Sequence, residues 1–571
     1  MTRCPCVRVC RRLAVSALTA FCLWRSAGTV ADYLGSEDAY AYGAAWRAAA
    51  RDAPPGPLAL ACRNASRIGT MERPLLAALA WERMPDPVTL VDGSAGLPSA
   101  GCVLSSRWCP KRAGAALGSS GFAAVSTNEH VKTWIRLKGG APAAPRPREP
   151  APPLWRELVS LGLLLAVPVF ASVRFLKPRG RLAPTVAAAV TAALGAVALS
   201  HPLLAPNGLG VYGGRAKLWC LCGGMPSAFL SSDAGAVLQP AYPPGLSALA
   251  YLHFVLSGGC GDRLVQLLPV LAVGLLSCAL LRDARTLREV LPVALFCLSP
   301  VAVRLTSGFY AEPFVALLLV SGWRLMREGR AAVGAGVLGL AGLFRPEAGV
   351  ASVVFAFSAG LFRGGFAAAS SAALPASVPT LVWFAACAAF GWGTVPDWSL
   401  LVAPKPDRAS LAADVLLKTL WTQALPVLAV ALLVRCPSVS RGCLRFRPWR
   451  RHAAPPSADC PRRNRRGLLA AWLPAALLLL AIPIVCVFYT APSVKWMLDN
   501  TIPRLVWYLL AVPLAATLCG SRSAIRRGGG IPSPSLKKRT DVPRRRAVPP
   551  RLMELTSLSS IRFQVDGCGK R

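Results

Sequence analysis

A charged and aromatic segment, residues 207–244, lies between two apolar stretches and holds side chains suited to an anionic ligand. It reads NGLGVYGGRAKLWCLCGGMPSAFLSSDAGAVLQPAYPP and contains Arg215, Lys217 and Asp233. A guanidinium can grip two phosphate oxygens, an ammonium supplies a point charge, and a carboxylate can accept a proton. The segment therefore predicts a site for a phosphorylated ligand. The alternatives are that both cations only anchor a helix and that Asp233 only forms a turn.

The same segment is rich in aromatic side chains. Tyr212, Trp219 and Tyr242 could stack on sugar rings or contact a lipid. An aromatic belt at the membrane interface would explain them equally well.

Charged residues at the ends of three later apolar stretches extend the candidate site. Glu312 lies in SGFYAEP, Arg345 in LFRPEAGV and Arg504 in DNTIPRLVW. A carboxylate beside an apolar span is costly unless it is paired or hydrated, so Glu312 is a candidate catalytic group. The competing interpretations are helix capping by Glu312, an Arg345–Glu347 salt bridge that closes a turn, and snorkelling by Arg504.

The composition predicts the setting of these residues. Of 571 residues, 54% are hydrophobic and 16% are charged, which is typical of a polytopic membrane protein rather than a soluble one. The net charge of +38 is concentrated in segments between apolar runs, so it indicates membrane topology and no nucleic-acid partner. None of the 19 cysteines falls in a zinc-type spacing with histidine, and we expect no metal site.

The chain divides into four predicted regions. Residues 1–31 are an N-terminal anchor or signal segment, and 32–153 form an extracytoplasmic α/β domain with a Pro-rich tether. Its predicted strands are PLALAC, VTLVDG and GCVLSS. Residues 154–520 are a multi-span domain with a main outer loop at 205–262, and 521–571 are a basic tail, predicted to be disordered and cytoplasmic.

The apolar segments predict an all-α polytopic membrane protein with about twelve transmembrane helices and the small α/β domain inserted after the first. After the N-terminal anchor they lie near 157–174, 183–204, 263–281, 290–306, 313–326, 331–345, 347–363, 368–391, 417–434, 467–488 and 503–520. With both termini cytoplasmic, the basic loops sort to the cytoplasmic side, provided that 242–259 does not cross the membrane.

The order of these elements resembles a known family. The layout, the Tyr-Pro-Pro of the first large loop and the run GFYAEPFVALLLVSGWRLMREGRAAVGAGVLGLAGLFRPEAGV look like the GT-C class of membrane glycosyltransferases, the relatives of protein mannosyltransferase and aminoarabinose transferase. A subgroup has an aspartate, then an aromatic residue, then Lys-Ala-Lys, and the same spacing gives Asn207, Tyr212 and Arg215-Ala216-Lys217 here. Asn207 matches the position but cannot accept a proton near neutral pH.

The resemblance implies an inverting transfer of a sugar from a polyprenyl-phosphate donor to a glycan, lipid or protein acceptor. It implies that Arg215, Lys217, Arg345 and Arg504 bind the donor phosphate, and that Glu312, Asp233 or Asn207 acts at the acceptor. It makes no cofactor certain beyond the polyprenyl-phosphate sugar as donor substrate, and it leaves a divalent metal open. The alternatives are a degenerate lipid-binding or scaffolding relative and a transporter or flippase. The alanine- and arginine-rich composition is typical of a GC-rich bacterium, and the resemblance then implies the bacterial inner membrane as the location.

Overall fold

A computed structural model describes most of the predicted membrane domain and part of the region before it. The described residues are 5–34, 37–53, 58–62, 79, 81–82, 88–92, 102–106, 117, 122–127, 131–136, 152–171, 182–200, 207–226, 238–284, 286–390, 392, 406–435, 459–487 and 494–519. Within them the fold is mostly helical, which confirms the predicted helical class.

The described part of the region before the Pro-rich tether includes two long helices and a small mixed sheet, and residues 79, 81–82 and 117 are helical as well. The helices are α1 (Pro5–Leu34) and α2 (Glu37–Asp52). The strands are β1 (Leu58–Cys62), β2 (Val88–Asp92), β3 (Cys102–Ser106), β4 (Phe122–Thr127) and β5 (Val131–Arg136). The order is β2-β1-β3-β5-β4, with β1 parallel to β2 and β3, and β5 antiparallel to β3 and β4. The first three strands coincide with the predicted β-segments.

Helices make up the described part of the remaining chain. They are α3 (Leu154–Ala171), α4 (Leu182–Leu199), a π-helix (Asn207–Gly214), α5 (Arg215–Cys222), α6 (Gly245–Ser257), α7 (Leu267–Leu281), α8 (Leu287–Cys297), α9 (Pro300–Ser307), α10 (Glu312–Arg327), α11 (Ala331–Gly339), a 3-10 turn (Leu340–Leu343), α12 (Pro346–Ala389), α13 (Pro406–Thr419), a second π-helix (Leu420–Ala424), α14 (Leu425–Arg435), α15 (Asp459–Val487) and α16 (Val494–Cys519).

Within the described ranges, four helical segments are long and apolar enough to cross a membrane. They are Leu13–Ala31, Pro346–Ala389, Ala409–Leu432 and Thr501–Leu518. A bent pair, Glu289–Cys297 with Pro300–Ser307, would make a fifth. Leucine and valine side chains on several helices face outward, among them Leu381 and Val382 of α12, as expected where lipid replaces water. These features make the chain a membrane protein.

Helix α12 is a hairpin rather than one straight rod. Gly364 and Gly365 have non-helical backbone angles, and Gly365 has φ +76°. A Cβ placed on Gly349 would lie 2.3 Å from the Thr380 hydroxyl, so the halves 346–363 and 366–389 lie side by side. In a straight helix these two residues would be about 46 Å apart. A reversal at Arg-Gly-Gly therefore returns the chain to the end at which Arg345 lies.

Glycine also permits the close contact of α10 with α11. A Cβ on Gly322 would lie 2.6 Å from the Gly334 carbonyl oxygen, and a Cβ on Gly334 would lie 2.6 Å from the Gly322 carbonyl oxygen. Small residues let helix backbones approach closely, which is the common packing device inside membranes. The consequence is that Glu312, at the start of α10, lies near Arg345, which follows α11 and the 3-10 turn.

Candidate functional site

Glu312 is the centre of a buried charge cluster at the start of α10. Its side chain is 0% exposed, and its Oε1 accepts a hydrogen bond from Nη1 of Arg345. Nη1 of Arg504 lies 3.2 Å from the same oxygen. Among the described residues, the second oxygen, Oε2, has no hydrogen-bond partner. A carboxylate this deep is tolerated because two guanidinium groups offset the cost of removing it from water.

Arg345 links this carboxylate to a second one. Its side chain is 6% exposed, and its Nη2 and Nε lie 2.9 and 3.3 Å from the two carboxylate oxygens of Glu347. Glu347 is 43% exposed, so this pair joins the buried Glu312 to the surface. Arg345 has extended backbone and immediately precedes α12, which begins with Pro346, so its own side chain is free to reach across to α10. The turn-closing salt bridge considered from the sequence is present, together with the bond to Glu312.

Tyrosine rings flank both arginines. The Arg345 guanidinium lies 5.8 Å from the Tyr242 ring centre, and the Arg504 guanidinium lies 4.8 Å from that of Tyr310. Tyr212 meets Tyr242 edge-on at 5.9 Å between ring centres. Burial raises the pKa of Tyr242 to about 12, so its hydroxyl stays protonated and neutral. The result is a cluster of two acids and two cations, enclosed by rings that can also face a sugar.

Arg215 does not join this cluster as a free cation. All five of its N–H donors are engaged, with the carbonyls of Val211, Pro240, Tyr242 and Pro243 and the hydroxyl of Ser247. Burial lowers its pKa to about 10, so it remains charged at neutral pH. Four backbone carbonyls and one hydroxyl thus occupy its N–H groups, and the phosphate role expected for Arg215 stays a prediction.

Lys217 and Trp219 lie elsewhere on α5. Lys217 donates to the Trp81 carbonyl at 2.5 Å and lies 4.8 Å from the Trp81 ring centre. Trp219 has the Arg215 guanidinium 5.9 Å from its ring centre and meets Tyr251 edge-on. Positions 215 and 217 are about 200° apart around a helix, so their side chains leave it on nearly opposite sides. The phosphate role expected for Lys217 also stays a prediction.

The Trp81 contact belongs to a polar junction between the N-terminal region and the loop that carries α5. Arg47 binds Glu82 at 2.6 Å and Asp262 at 2.7 Å. The Trp81 ring packs edge-on against Phe254, and a Cβ on Gly213 would lie 3.0 Å from that ring. Lys217 thus serves to attach the N-terminal region, a role that its spacing in the sequence did not indicate.

The structure describes little or nothing of two further candidate residues, Asn207 and Asp233. Asn207 begins the π-helix, and only its backbone is described. Asp233 lies outside the described residues. Among the described residues, no group of three or more histidine, cysteine, aspartate or glutamate side chains could hold a metal ion.

A separate charged network marks the other end of α10. Arg324 lies 3.3 Å from Asp283, Arg282 binds Glu328, and Arg363 donates to the Met326 carbonyl at 2.8 Å. Arg324 and Glu328 follow Glu312 along α10, so this network is about 18–24 Å from Glu312 along the axis. The two networks therefore face opposite ends of the helical bundle.

Sequence reasoning missed two aromatic members of the site. Tyr310 lies against Arg504, and Tyr508 is 1% exposed one helical turn after Arg504. The signal was available, because Tyr310 is two residues before Glu312 and Tyr508 is at the i+4 position from Arg504.

No family model, characterised protein or solved structure matches this chain.

Proposed function

We propose that the chain is a membrane glycosyltransferase that moves a sugar from a polyprenyl-phosphate donor to an acceptor hydroxyl with inversion. The observation that supports this proposal is the convergence of two arginines on Glu312 of α10: Arg345, immediately before α12, and Arg504 of α16. A GT-C-like reaction needs a base for the acceptor and cations for the leaving phosphate, and this cluster holds both.

The proposed step uses the carboxylate oxygen that has no partner among the described residues. Glu312 Oε2 takes the proton of the acceptor hydroxyl while the hydroxyl oxygen bonds to the anomeric carbon. The bond from that carbon to the phosphate oxygen breaks, and its electron pair leaves with the lipid phosphate. Arg345 and Arg504 stabilise the negative charge that develops on the phosphate. Their present bonds to Glu312 keep both guanidiniums within reach of that position.

The topology proposed with this activity has about twelve spans and cytoplasmic termini. It is supported by the arginines at the far end of α10 and at the Gly364–Gly365 reversal, which lie together, away from Glu312. Arginine-rich loops tend to remain cytoplasmic, so Glu312 would face the opposite side. The region 32–153 would lie on that side as well, where an acceptor would approach.

A transfer assay tests this function. Full-length protein in proteoliposomes is given labelled polyprenyl-phosphate sugars and soluble acceptors, and new glycosidic bonds are counted. We expect transfer by the wild type, a loss of roughly a hundredfold in Glu312→Gln, and little change in the control Glu328→Gln, which lies in the network at the other end of α10. Equal activity in Glu312→Gln and wild type would remove Glu312 as the base, and no transfer with any donor would reject the function.

A lipid-phosphate-binding relative without transfer activity is the second candidate. It is favoured by Asn207, which stands where the resembling subgroup has an aspartate, and by a charge cluster whose two acids are matched by two cations. Donor binding without transfer, together with transfer gained in Asn207→Asp, would select this candidate. Uptake of labelled sugar without a new bond would indicate a transporter.

A further inference from the structure

Arg215 fastens the chain segment that carries Tyr242. From α5 it reaches 25 to 28 residues along the chain to the carbonyls of Pro240, Tyr242 and Pro243. It also donates to the Val211 carbonyl at 2.7 Å in the π-helix. A single buried guanidinium thus joins two segments that have no regular hydrogen-bond pairing between them.

Ser247 strengthens the same connection. Its hydroxyl accepts from Nη2 of Arg215 at 2.9 Å and donates to the Val211 carbonyl at 3.3 Å. Both side chains are 0% exposed. Water therefore cannot replace either bond if one partner is lost, which makes each of them costly to break.

The fastened turn is also held from its other side. The Ala241 carbonyl accepts from Nε1 of Trp383 at 3.1 Å, and the Cys387 thiol lies 3.7 Å from the same oxygen. A Cβ on Gly245 would lie 2.6 Å from the Leu343 carbonyl oxygen, so the turn rests on the residues just before Arg345. Tyr242 then places its ring 5.8 Å from the Arg345 guanidinium.

From this chain of contacts we infer that Arg215 is a positioning residue, which fixes the 240–245 turn so that Tyr242 holds Arg345 toward Glu312. It acts through Tyr242 and touches neither carboxylate of the charge cluster. This inference rests on the proposed function for its catalytic consequence, but the fixing of the turn can be measured without any activity.

The first test measures how often the 240–245 turn opens. Cys387 is buried against Ala241, so the rate of its alkylation, measured by mass spectrometry on full-length protein in detergent, reports opening of the turn. We expect Arg215→Lys to raise this rate roughly tenfold, since lysine keeps the charge and loses the fork. Ser247→Ala, a milder change, should raise it about threefold. Lys217→Met is the matched control on the same helix and should leave the rate unchanged.

The second test separates positioning from phosphate binding. In the transfer assay, Arg215→Lys should lower kcat roughly tenfold or more and leave the KM for the lipid donor within about threefold of wild type. A raised donor KM with unchanged kcat would overturn the inference and return Arg215 to a phosphate role. If the wild-type protein shows no transfer, the proposed function alone is rejected. If Arg215→Lys and Ser247→Ala both fold and both leave the rate of Cys387 alkylation unchanged, Arg215 does not fix the turn.

Discussion

Glu312 and Arg345 are 33 residues apart in the chain and form a buried ion pair where α10 and α12 begin. Two close-packed helical elements, α10 and α11, bring them together, and the Gly322–Gly334 contact sets the distance between those helices. Arg504 approaches the same carboxylate from the last described helix. The pair therefore depends on packing inside the bundle as much as on its own charges.

Replacing the buried Glu312 should destabilise the protein more than replacing the exposed Glu347, although both carboxylates bind Arg345. Glu312→Gln leaves Arg345 and Arg504 without their shared buried anion, and we expect a loss of about 3–5 kcal/mol. Glu347→Gln removes a 43% exposed carboxylate and should cost at most about 1 kcal/mol. Unfolding of the full-length proteins in detergent measures both, and equal losses would contradict the assigned burial.

The close contact between α10 and α11 should reject even one methyl group. Gly322→Ala places a Cβ 2.6 Å from the Gly334 carbonyl oxygen, and we expect a loss of about 1–3 kcal/mol as the helices separate. Gly336→Ala on α11 meets nothing within 4 Å and should be neutral or stabilising by up to about 1 kcal/mol. Thermal unfolding midpoints compare the two, and a stable Gly322→Ala protein would count against the contact.

The free energy of unfolding should decrease at acidic pH because of His253. This side chain is 0% exposed, and its Nδ1 shares a hydrogen bond of 2.9 Å with the Ser160 hydroxyl. Burial lowers its pKa from 6.5 to about 4, so the neutral form is the folded form. The contribution is therefore fully present above pH 6.5 and is lost progressively as pH falls toward 4. The unfolding midpoint of His253→Gln should depend less on pH across this window, and parallel curves for both proteins would refute the prediction.

The N-terminal region should loosen when its tryptophan anchor is removed. Trp81→Ala deletes the ring beneath Lys217 and its edge contact with Phe254, and we expect a loss of about 3–5 kcal/mol with faster proteolysis before residue 152. Trp155→Ala is the control, because this ring is 61% exposed. Identical digestion of the two variants would show that Trp81 does not anchor the region.

The sequence predicted the helical class, the first three strands and the charged residues at helix ends, because hydrophobic periodicity and charge placement are local signals. It could not separate the roles of Arg215 and Lys217, which lie two residues apart and point to different neighbours. Whether a buried arginine binds a ligand or a carbonyl depends on segments distant in the chain. For the same reason Trp81 gave no sign of its contact with Lys217, 136 residues away.

The reversal at Gly364 and Gly365 has a consequence for how this chain can vary. Its two arms are matched residue against residue, as Gly349 with Thr380 and Gly360 with Ala369 show. Deleting one residue from the first arm would rotate everything before it by about 100° relative to the second arm. Arg345 would then face away from α10, so insertions and deletions should be excluded from both arms while single substitutions on their lipid-facing sides accumulate freely.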